Sequence, residues 1–301
     1  MNLFPDRRKE KIRRRLLSAL LVFALLVAMA GLAGWLALRY YLSGAARPPE
    51  TESSSSTPVV DIPTGSATSL LILGDAGQER FLLVQFAPAT GRVYVLPLPG
   101  NTDDGTGQSL SVALEKYGPA RVKAAVEATL SLPLSHYIRL DAAAVESFLN
   151  NLEGSVTLDL PEAVSYTDEN GGKVRLSAGQ RQITAGQGGA LLRYTGWSQP
   201  SVGDTAATRL VCAVFDRFMR PGRRFSGDFA ALSNLAQTDL RIDHFTAYAT
   251  TLDYLAAGNT DGSLATKLTP SGTTSGGLFL PDVEHLRAQT PLYTHLKEGE
   301  K

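Results

Sequence analysis

The stretch SLLILGDAGQERFLLVQFAPATGRVYVLPLP, residues 69–99, contains three apolar runs separated by turn residues. Short apolar runs bounded by glycine, proline and aspartate are typical of β-strands. The first run is Ser69 to Leu73, the second is Phe81 to Phe86, and the third lies within Arg92 to Leu98. Pro88 to Gly91 is a turn sequence, so the second and third runs are predicted to form a hairpin.

Strands and helices alternate after this hairpin. Pro119 can begin a helix that Pro133 terminates, and His136 to Leu140 is predicted to be a strand. Asp141 is a predicted cap for the next helix, and Val156 to Leu160 is a further strand. A strand, helix, strand succession predicts a crossover and hence a parallel pairing of these two strands. The predicted class is α/β, with a mixed central β-sheet flanked by helices and preceded by one transmembrane helix.

The C-terminal half continues with further predicted elements. They are a polar hairpin around 168–172, a helix over 186–194, a helix from Asp204 or Thr205 to Met219, a helix from Asp243, a strand near Leu264 and an end helix after Pro281.

The N-terminus has the pattern of a membrane anchor. The first fifteen residues carry seven arginine and lysine side chains against two acidic ones, and residues 16–38 carry no charge. At about 1.5 Å rise per residue, this apolar run is long enough to cross a hydrocarbon core of about 30 Å. Trp35, Tyr40 and Tyr41 lie near its far end, where aromatic rings favour the headgroup layer. The sequence therefore predicts a single-pass plasma-membrane protein with a cytoplasmic N-terminus and an extracellular C-terminal domain.

A cleaved secretory signal is the alternative interpretation of this N-terminus. Such signals have a shorter apolar core, of about 7–15 residues, and end in small residues. Ser43 to Ala46 resembles a cleavage site, but the apolar run is longer than that and Arg39 follows it. Both interpretations export the folded domain.

Residues 47–65 are rich in proline, serine and threonine, so they cannot build a core and are predicted to form a stalk. The predicted organisation is a basic cytoplasmic tail at 1–15, a transmembrane helix at 16–41, a stalk at 42–67, an α/β domain at 68–290 and a C-terminal tail at 291–301.

Charge excludes one class of partner. The whole chain is formally neutral, so removing the basic N-terminal cluster leaves an exported part that is mildly acidic. Nucleic-acid binding requires a basic surface, and no exported segment offers one. We therefore expect no nucleic-acid partner.

Several strings, taken in order and spacing, resemble the LytR-CpsA-Psr family over roughly residues 69–287. They are LILGD (71–75), FLLVQFAP (81–88), VLPLP (95–99), YGP (117–119), HYIRLD (136–141) and LDLP (158–161). The resemblance implies a membrane-anchored extracellular α/β domain that transfers a glycopolymer from undecaprenyl pyrophosphate to peptidoglycan. It also implies that Mg²⁺ and several arginines bind the pyrophosphate, because guanidinium groups match phosphate oxygens and a metal neutralises charge on the leaving phosphate.

This sequence departs from the family at most of the implied positions. The family's arginine-aspartate-threonine string corresponds to Gly100, Asn101 and Thr102, so one phosphate-binding guanidinium is replaced by glycine. Asn101, Thr102 and Arg80 are the implied pyrophosphate-binding residues that remain, and Arg80 stands where the family has threonine.

Two carboxylates and two further arginines complete the implied site. Asp75 and Glu79 are the implied metal ligands, since hard cations prefer oxygen. Arg193 and Arg209 are the implied catalytic arginines, although Arg193 is one position early relative to the family's tyrosine-x-arginine motif. Each of these residues could also be an ordinary solvated side chain.

Two functions from different classes follow. The first is a divergent transferase with weakened or lost catalysis. The second is a non-catalytic protein of envelope assembly that binds lipid or glycopolymer and retains the fold. The loss of arginines favours the second, because each charge-assisted contact contributes about 1.5–3 kcal/mol.

Overall fold

The structure is a computed structural model that describes residues 66–151, 154–168, 171–225, 229–289 and 291–296. The predicted cytoplasmic tail, the transmembrane helix and nearly all of the stalk lie outside these residues. Within the described ranges, no helix has the length and apolarity needed to cross a bilayer.

The described strands, in chain order, are β1 (Ala67–Leu73), β2 (Arg80–Ala87), β3 (Arg92–Leu98), β4 (His136–Leu140), β5 (Ser155–Leu160), β6 (Val164–Thr167), β7 (Lys173–Leu176), β8 (Gly179–Thr184), β9 (Gln237–Thr238), β10 (Ala265–Lys267), β11 (Gly272–Ser275) and β12 (Leu278–Pro281). The helices are α1 (Leu110–Tyr117), α2 (Pro119–Leu130), α3 (Ala142–Asn151), α4 (Ala185–Arg193), α5 (Pro200–Phe218), α6 (Phe229–Leu235), α7 (Ile242–Gly258) and α8 (Val283–Gln289). Two 3-10 turns are described, at Pro88–Thr90 and Pro291–Leu296.

Six strands form the central sheet, in the order β10-β3-β2-β1-β4-β9. The β1–β2, β2–β3 and β4–β9 pairs are antiparallel, whereas β1–β4 and β10–β3 are parallel. The predicted hairpin is confirmed, and its turn closes at Gly91, whose φ of 63° lies in the left-handed region that glycine adopts without strain. The sheet is therefore mixed, as predicted.

Both faces of this sheet are buried because its central strands are apolar at nearly every position. Leu70, Ile72, Phe81 and Leu83 pack with α1 and α2 in one core. The alternate residues of the same strands, including Leu73, Leu82 and Val84, pack with α3, α4 and α5 in a second core. Since successive side chains of a strand point to opposite faces, the result is a three-layer α/β/α arrangement.

One predicted pairing is wrong. The strands predicted at 136–140 and 156–160 do not pair, because β5 leaves the central sheet and pairs antiparallel with β8. Residues of β5 alternate between buried and exposed, which suits a ribbon that covers the core with one face. The parallel partner of β4 is β1 instead.

The ends of two predicted elements also differ. The helix predicted to start at Asp204 or Thr205 begins at Pro200, because proline is well suited to a first turn. Leu292 and Tyr293, which we placed in the C-terminal tail, are buried in the first core. The folded domain therefore extends beyond residue 290.

Candidate functional site

The turn between β1 and β2 lies at the carboxyl end of β1, beside the carboxyl end of its parallel neighbour β4. The Gly74 amide donates to the Leu140 carbonyl at 3.0 Å, which joins the two strand ends. Gly74 has a φ of 105°, and a β-carbon there would lie 2.9 Å from the Gln78 carbonyl oxygen. Glycine is therefore required, and the turn presents Asp75 and Glu79 at this edge of the sheet.

Asp75 connects the turn to two helices. Its Oδ2 accepts a hydrogen bond from Arg193 Nε at 3.1 Å, at the end of α4. Its Oδ1 accepts from the Ala142 amide at 3.0 Å, at the start of α3, where a negative charge is favoured by the helix dipole. Two of the implied residues, Asp75 and Arg193, are thus brought together.

Glu79 is buried beside an arginine that the sequence analysis did not identify. Its Oε2 accepts from the Gly77 amide at 3.0 Å, and its Oε1 lies 3.9 Å from Arg139 Nη2. Arg139 belongs to β4 and sits in the string HYIRLD. The parallel pairing of β1 and β4 is what places this arginine near the turn.

Arg80 forms the most buried ion pair of the site. Its Nη1 lies 3.2 Å from Asp204 Oδ1, and the two side chains are only 14% and 10% exposed. Burial raises the pKa of Asp204, and the Arg80 guanidinium opposes that shift. A β-carbon on Gly203 would lie 2.7 Å from Arg80 Nη2 and 2.8 Å from Trp197 Cδ1, so glycine lets both side chains pack directly on α5.

We refer to the residues of these three ion pairs together as the arginine–carboxylate ring: Asp75, Glu79, Arg80, Arg139, Arg193 and Asp204. Tyr194, next to Arg193, packs edge-on against Trp197 at 5.0 Å between ring centroids. Trp197 and Arg80 both approach Gly203, so the Tyr194–Trp197 pair and the Arg80–Asp204 pair lie near the same point of α5. Three arginines face three carboxylates, so the ring is formally neutral.

Two buried polar atoms beside the ring have no hydrogen-bond partner within the described part of the chain: Trp197 Nε1 and Gln78 Oε1. The first is a donor and the second is an acceptor. Buried polar groups are normally satisfied, so these atoms are suited to groups of a bound ligand.

Asn101 and Thr102 have structural contacts. Asn101 Nδ2 donates to the Gly277 carbonyl at 2.9 Å, and the Thr102 hydroxyl donates to the Pro99 carbonyl at 2.6 Å. Thr102 is buried, and both residues hold the hairpin formed by β11 and β12. The structure therefore does not place either side chain in the ring.

The glycine at position 100 lies beside the ring and has little room for a larger residue. A β-carbon there would lie 2.8 Å from Ser111 Oγ and 4.0 Å from the Glu79 carbonyl oxygen. The Ser111 hydroxyl donates to the Gly100 carbonyl at 3.1 Å. The Ser111 hydroxyl would therefore have to move for a larger residue to stand at position 100.

Arg209 lies in a separate contact. Its Nη1 is 2.7 Å from both the carboxylate Oδ2 and the carbonyl oxygen of Asp159, on β5. Five residues separate it from Asp204 on α5, which turns its side chain to a different face of the helix. The two predicted catalytic arginines therefore have different partners.

An apolar cavity of about 220 Å³ lies between the sheet and α3, α5, α6 and α7. Leu73 and Leu140, which line the cavity, lie two residues before the ring residue Asp75 and two residues before the start of α3. Ser69, Arg223 and Phe245 are among the residues lining the rest. The cavity therefore runs along β1 toward the end of the strand that precedes Asp75, and no ring residue is among those lining it.

The family model described as the LytR_cpsA_psr family matches residues 92–269, more than half of the chain. The chain belongs to the LytR-CpsA-Psr family. The match begins at β3 and ends after β10, so it includes Arg139, Arg193 and Asp204 of the ring.

Solved structures share the fold of this LytR-CpsA-Psr protein. Bacillus subtilis TagV has a TM-score of 0.60 at 18% identity and covers 77% of this chain and 97% of its own. A Eubacterium siraeum protein described as a transcription regulator has a TM-score of 0.65 at 16% identity, covering 84% and 98%. TagT, in a structure bound to LI-WTA, has a TM-score of 0.56 at 16% identity, covering 79% and 93%. No curated protein sequence matches this chain.

Family membership supports a role of the glycopolymer-transferase type in the cell envelope. The resemblance also implies Mg²⁺, and the donors near the ring suit it. Asp75, Glu79 and Gln78 Oε1 supply oxygen from a single turn, and Mg²⁺ is commonly held by one or two carboxylates together with substrate phosphates. The described residues contain no group of three or more metal-binding side chains. A metal here would need the substrate as a ligand.

Arg139 and Asp204 are the ring residues that sequence reasoning did not assign to the site. Arg139 was visible inside HYIRLD, two residues before the predicted cap Asp141. Asp204 was predicted to be a helix cap, but α5 begins four residues earlier, so its carboxylate is free to pair with Arg80.

Proposed function

We propose that this protein is a membrane-anchored, extracellular LytR-CpsA-Psr protein that binds a glycopolymer linked to polyprenyl pyrophosphate during envelope assembly, and that its transfer activity is weak. The observation that carries this proposal is that an apolar cavity extends along β1 to Leu73, two residues before the ring residue Asp75. A polyprenyl chain is apolar and a pyrophosphate is anionic, so one ligand satisfies both regions.

Charge balance explains why transfer is weak. Each arginine of the ring is already paired with a carboxylate, so a pyrophosphate must compete with Asp75, Glu79 and Asp204. The missing arginine at position 100 removes a further charge-assisted contact, of about 1.5–3 kcal/mol. Binding is therefore favoured when a cation neutralises the carboxylates.

Mg²⁺ would be held by Asp75 and Glu79 together with the phosphates, and it would neutralise charge on the departing lipid phosphate. Arg193 and Arg139 would then be released to donate to phosphate oxygens, whereas Arg80 would keep its partner Asp204. Trp197 Nε1, a buried donor, would point to the same ligand.

A non-catalytic binder of lipid or glycopolymer is the second candidate. Gly100 supports it, because this position offers no guanidinium to a phosphate and Ser111 packs against it. In this function the chain holds the lipid-linked polymer for a partner and performs no transfer to peptidoglycan.

The test uses the full-length protein purified in detergent. Binding of geranylgeranyl pyrophosphate and release of phosphate are measured with and without Mg²⁺. We expect Mg²⁺ to tighten binding by about tenfold or more. Arg193→Ala should weaken binding by a similar factor, because Arg193 is a phosphate ligand once Asp75 binds the cation.

Arg224→Ala is the matched control, since Arg224 is an exposed arginine paired with Asp253. It should bind like the native protein. Slow, Mg²⁺-dependent release of phosphate that Arg193→Ala abolishes would identify a transferase, and binding without release would identify the binder. Absence of lipid-pyrophosphate binding would reject both.

A further inference from the structure

One side of the apolar cavity is covered by the chain that follows α5. Arg223, Leu232 of α6 and Phe245 of α7 all line the cavity, so this part of the chain closes it on the side away from the sheet. We call α6 the lid, together with Arg220 and Arg223 before it and residues 241–245 after it. We propose that the lid docks on the surface of an anionic lipid membrane; this inference rests on the proposed function, which anchors the chain in a membrane.

The helix α6 is apolar, yet the fold leaves it uncovered. Its sequence FAALSNL contains no charged residue, and none of its seven residues is buried. Leu232 lines the cavity, whereas Ala230 and Ala231 are exposed. Ile242, at the start of α7, adds a large apolar side chain that is 56% exposed. A surface without charges can approach lipid headgroups without the cost of removing a charge from water.

Arginines flank this uncharged helix on both sides. Residues 217–245 contain five arginines and three aspartates, in a chain whose formal net charge is zero. Arg220 is exposed before α6, and Arg241 is exposed after it. The pair of Arg241 with Asp243, 3.6 Å between Nε and Oδ1, is also exposed, and exposed ion pairs are weak. Both guanidinium groups can therefore meet lipid phosphates, and apolar surface flanked by basic residues is typical of segments that lie in the headgroup layer.

The lid lies at the end of the sheet where β1 begins. Phe86 pairs with Ala67, the first residue of β1, and packs edge-on against Phe215 of α5 at 5.6 Å between ring centroids. Arg220 follows Phe215 by five residues, just beyond the end of that helix. One side of the lid is therefore beside the start of β1.

The other side of the lid is also beside the start of β1. His244 lies 4.8 Å from His136, measured between ring centroids, and His136 pairs with Ser69. The ring, by contrast, follows the last residue of β1. The predicted membrane span and stalk precede β1, so a membrane-anchored chain enters the domain beside the lid.

The test places a fluorescent probe on the lid of the full-length protein in lipid nanodiscs. Nitrobenzoxadiazole is attached at Ala231→Cys, and the label is selective because burial raises the pKa of the Cys212 thiol to about 12. The discs contain a lipid with a nitroxide quencher in its headgroup, in phosphatidylcholine alone or in a mixture with anionic phosphatidylglycerol. We expect quenching to be about threefold or more stronger in the anionic discs, and salt at about 0.5 M should remove the difference.

Arg220→Glu combined with Arg241→Glu should reduce quenching in anionic discs to the level in phosphatidylcholine, because it reverses the charges that attract the headgroups. Arg175→Glu combined with Arg181→Glu, the same change at exposed positions of β7 and β8, is the matched control and should quench like the native chain. A probe at Ala120→Cys controls for label position. Ala120 is exposed on α2, across the sheet from the cavity, so this probe should not be quenched.

Thermal unfolding of each variant confirms that it is folded. Absent quenching at position 231 would overturn the inference and assign the uncovered helix to a protein partner. Equal quenching in the two kinds of disc, or quenching unchanged by reversing the two lid arginines, would also overturn it. A chain that is not retained in the discs would reject the anchor, and the inference with it.

Geranylgeranyl pyrophosphate binding in detergent is measured on the same samples. If the lipid pyrophosphate binds while quenching is absent, only the assignment of the lid fails. If quenching is as expected and the lipid pyrophosphate does not bind, the lid docks on the membrane and the proposed binding function fails instead.

Discussion

At the scale of single residues, the site differs from the one implied by family resemblance mainly through pairing. The arginines that remain are bound to carboxylates, and the position of a missing arginine is packed by Ser111. Both facts concern side-chain neighbours that are distant in sequence. Substitutions at these positions can therefore test whether phosphate binding is lost or is only blocked by the paired carboxylates.

Restoring the missing guanidinium should strengthen phosphate binding. Gly100→Arg combined with Ser111→Ala removes the hydroxyl that lies 2.8 Å from the new β-carbon and returns a cation beside Glu79. We expect affinity for geranylgeranyl pyrophosphate to rise about tenfold or more, measured by calorimetry. Ser111→Ala alone is the control and should bind like the native protein; an unchanged affinity in the double variant would show that position 100 does not face the ligand.

The Arg80–Asp204 pair should show a pH-dependent stability effect. Arg80→Met leaves a buried carboxylate without its cation, at a cost of about 3–5 kcal/mol at neutral pH. Burial already raises the pKa of Asp204, and removing Arg80 raises it further. The folded variant then binds a proton more readily than the unfolded chain. Its free energy of unfolding therefore falls as pH rises from the ordinary pKa of aspartate, about 3.9, to the raised pKa of Asp204. The cost of Arg80→Met should accordingly shrink toward pH 4.

Urea unfolding of the full-length protein at several pH values measures this effect. Asp204→Asn in the Arg80→Met background should recover part of the stability at neutral pH. A cost that is the same at pH 4 and pH 8 would be inconsistent with a buried, charged Asp204.

At the scale of elements, apolar patterning predicted the parts of the chain that build the core. The β2–β3 hairpin, α2, α4 and α7 were visible because their apolar residues have the period of a strand or helix. The short strand β9 and the hairpin of β11 and β12 were not visible, since their residues are few and mostly exposed. The β5 pairing was predicted incorrectly because register depends on partners that local sequence does not contain.

The same limit applies to the candidate site. Asp75, Glu79 and Arg80 could be predicted because the family resemblance implies a role at their positions, next to recognisable strands. Arg139 and Asp204 join them only through the parallel β1–β4 pairing and the early start of α5. Tertiary pairing of charged side chains is not encoded in the spacing of a motif.

The edge of the sheet at β4 and β9 should lose stability in acid. Burial lowers the pKa of His136, with His244 and Lys123 acting in the same direction and Asp239 opposing them. Since the unfolded histidine binds a proton more readily, the free energy of unfolding should fall as pH decreases from about 7 through the pKa of the unfolded side chain near 6.5.

His136→Phe should flatten this dependence, because phenylalanine can preserve the packing against His244 and Tyr248 without titrating. His285→Phe is the control, since His285 is exposed on α8. Equal slopes in the native protein and in His136→Phe, between pH 7 and pH 5, would assign the acid sensitivity to other groups.

At the scale of the whole molecule, an apolar cavity lies under one face of the sheet and the charged ring lies at one edge of it. In the proposed function, the chain of one lipid pyrophosphate occupies the cavity and its phosphates bind the ring. Val214→Trp should fill part of the cavity. We expect it to weaken geranylgeranyl pyrophosphate binding about tenfold or more while leaving isopentenyl pyrophosphate, which has little chain to bury, unchanged.

Ala247→Trp, at an exposed position of α7, is the matched control. If Val214→Trp weakened both ligands equally, or neither, the apolar cavity would have no specific role in holding the chain.

In the proposed function, the arginine–carboxylate ring binds the pyrophosphate while the apolar cavity binds the prenyl chain. The most direct test is an experimental structure of the full-length protein with geranylgeranyl pyrophosphate and Mg²⁺. We predict phosphate oxygens within hydrogen-bond distance of Arg80, Arg139 or Arg193 and the prenyl chain along Leu73 and Val214. A pyrophosphate bound away from these arginines, or a chain outside the cavity, would contradict the account.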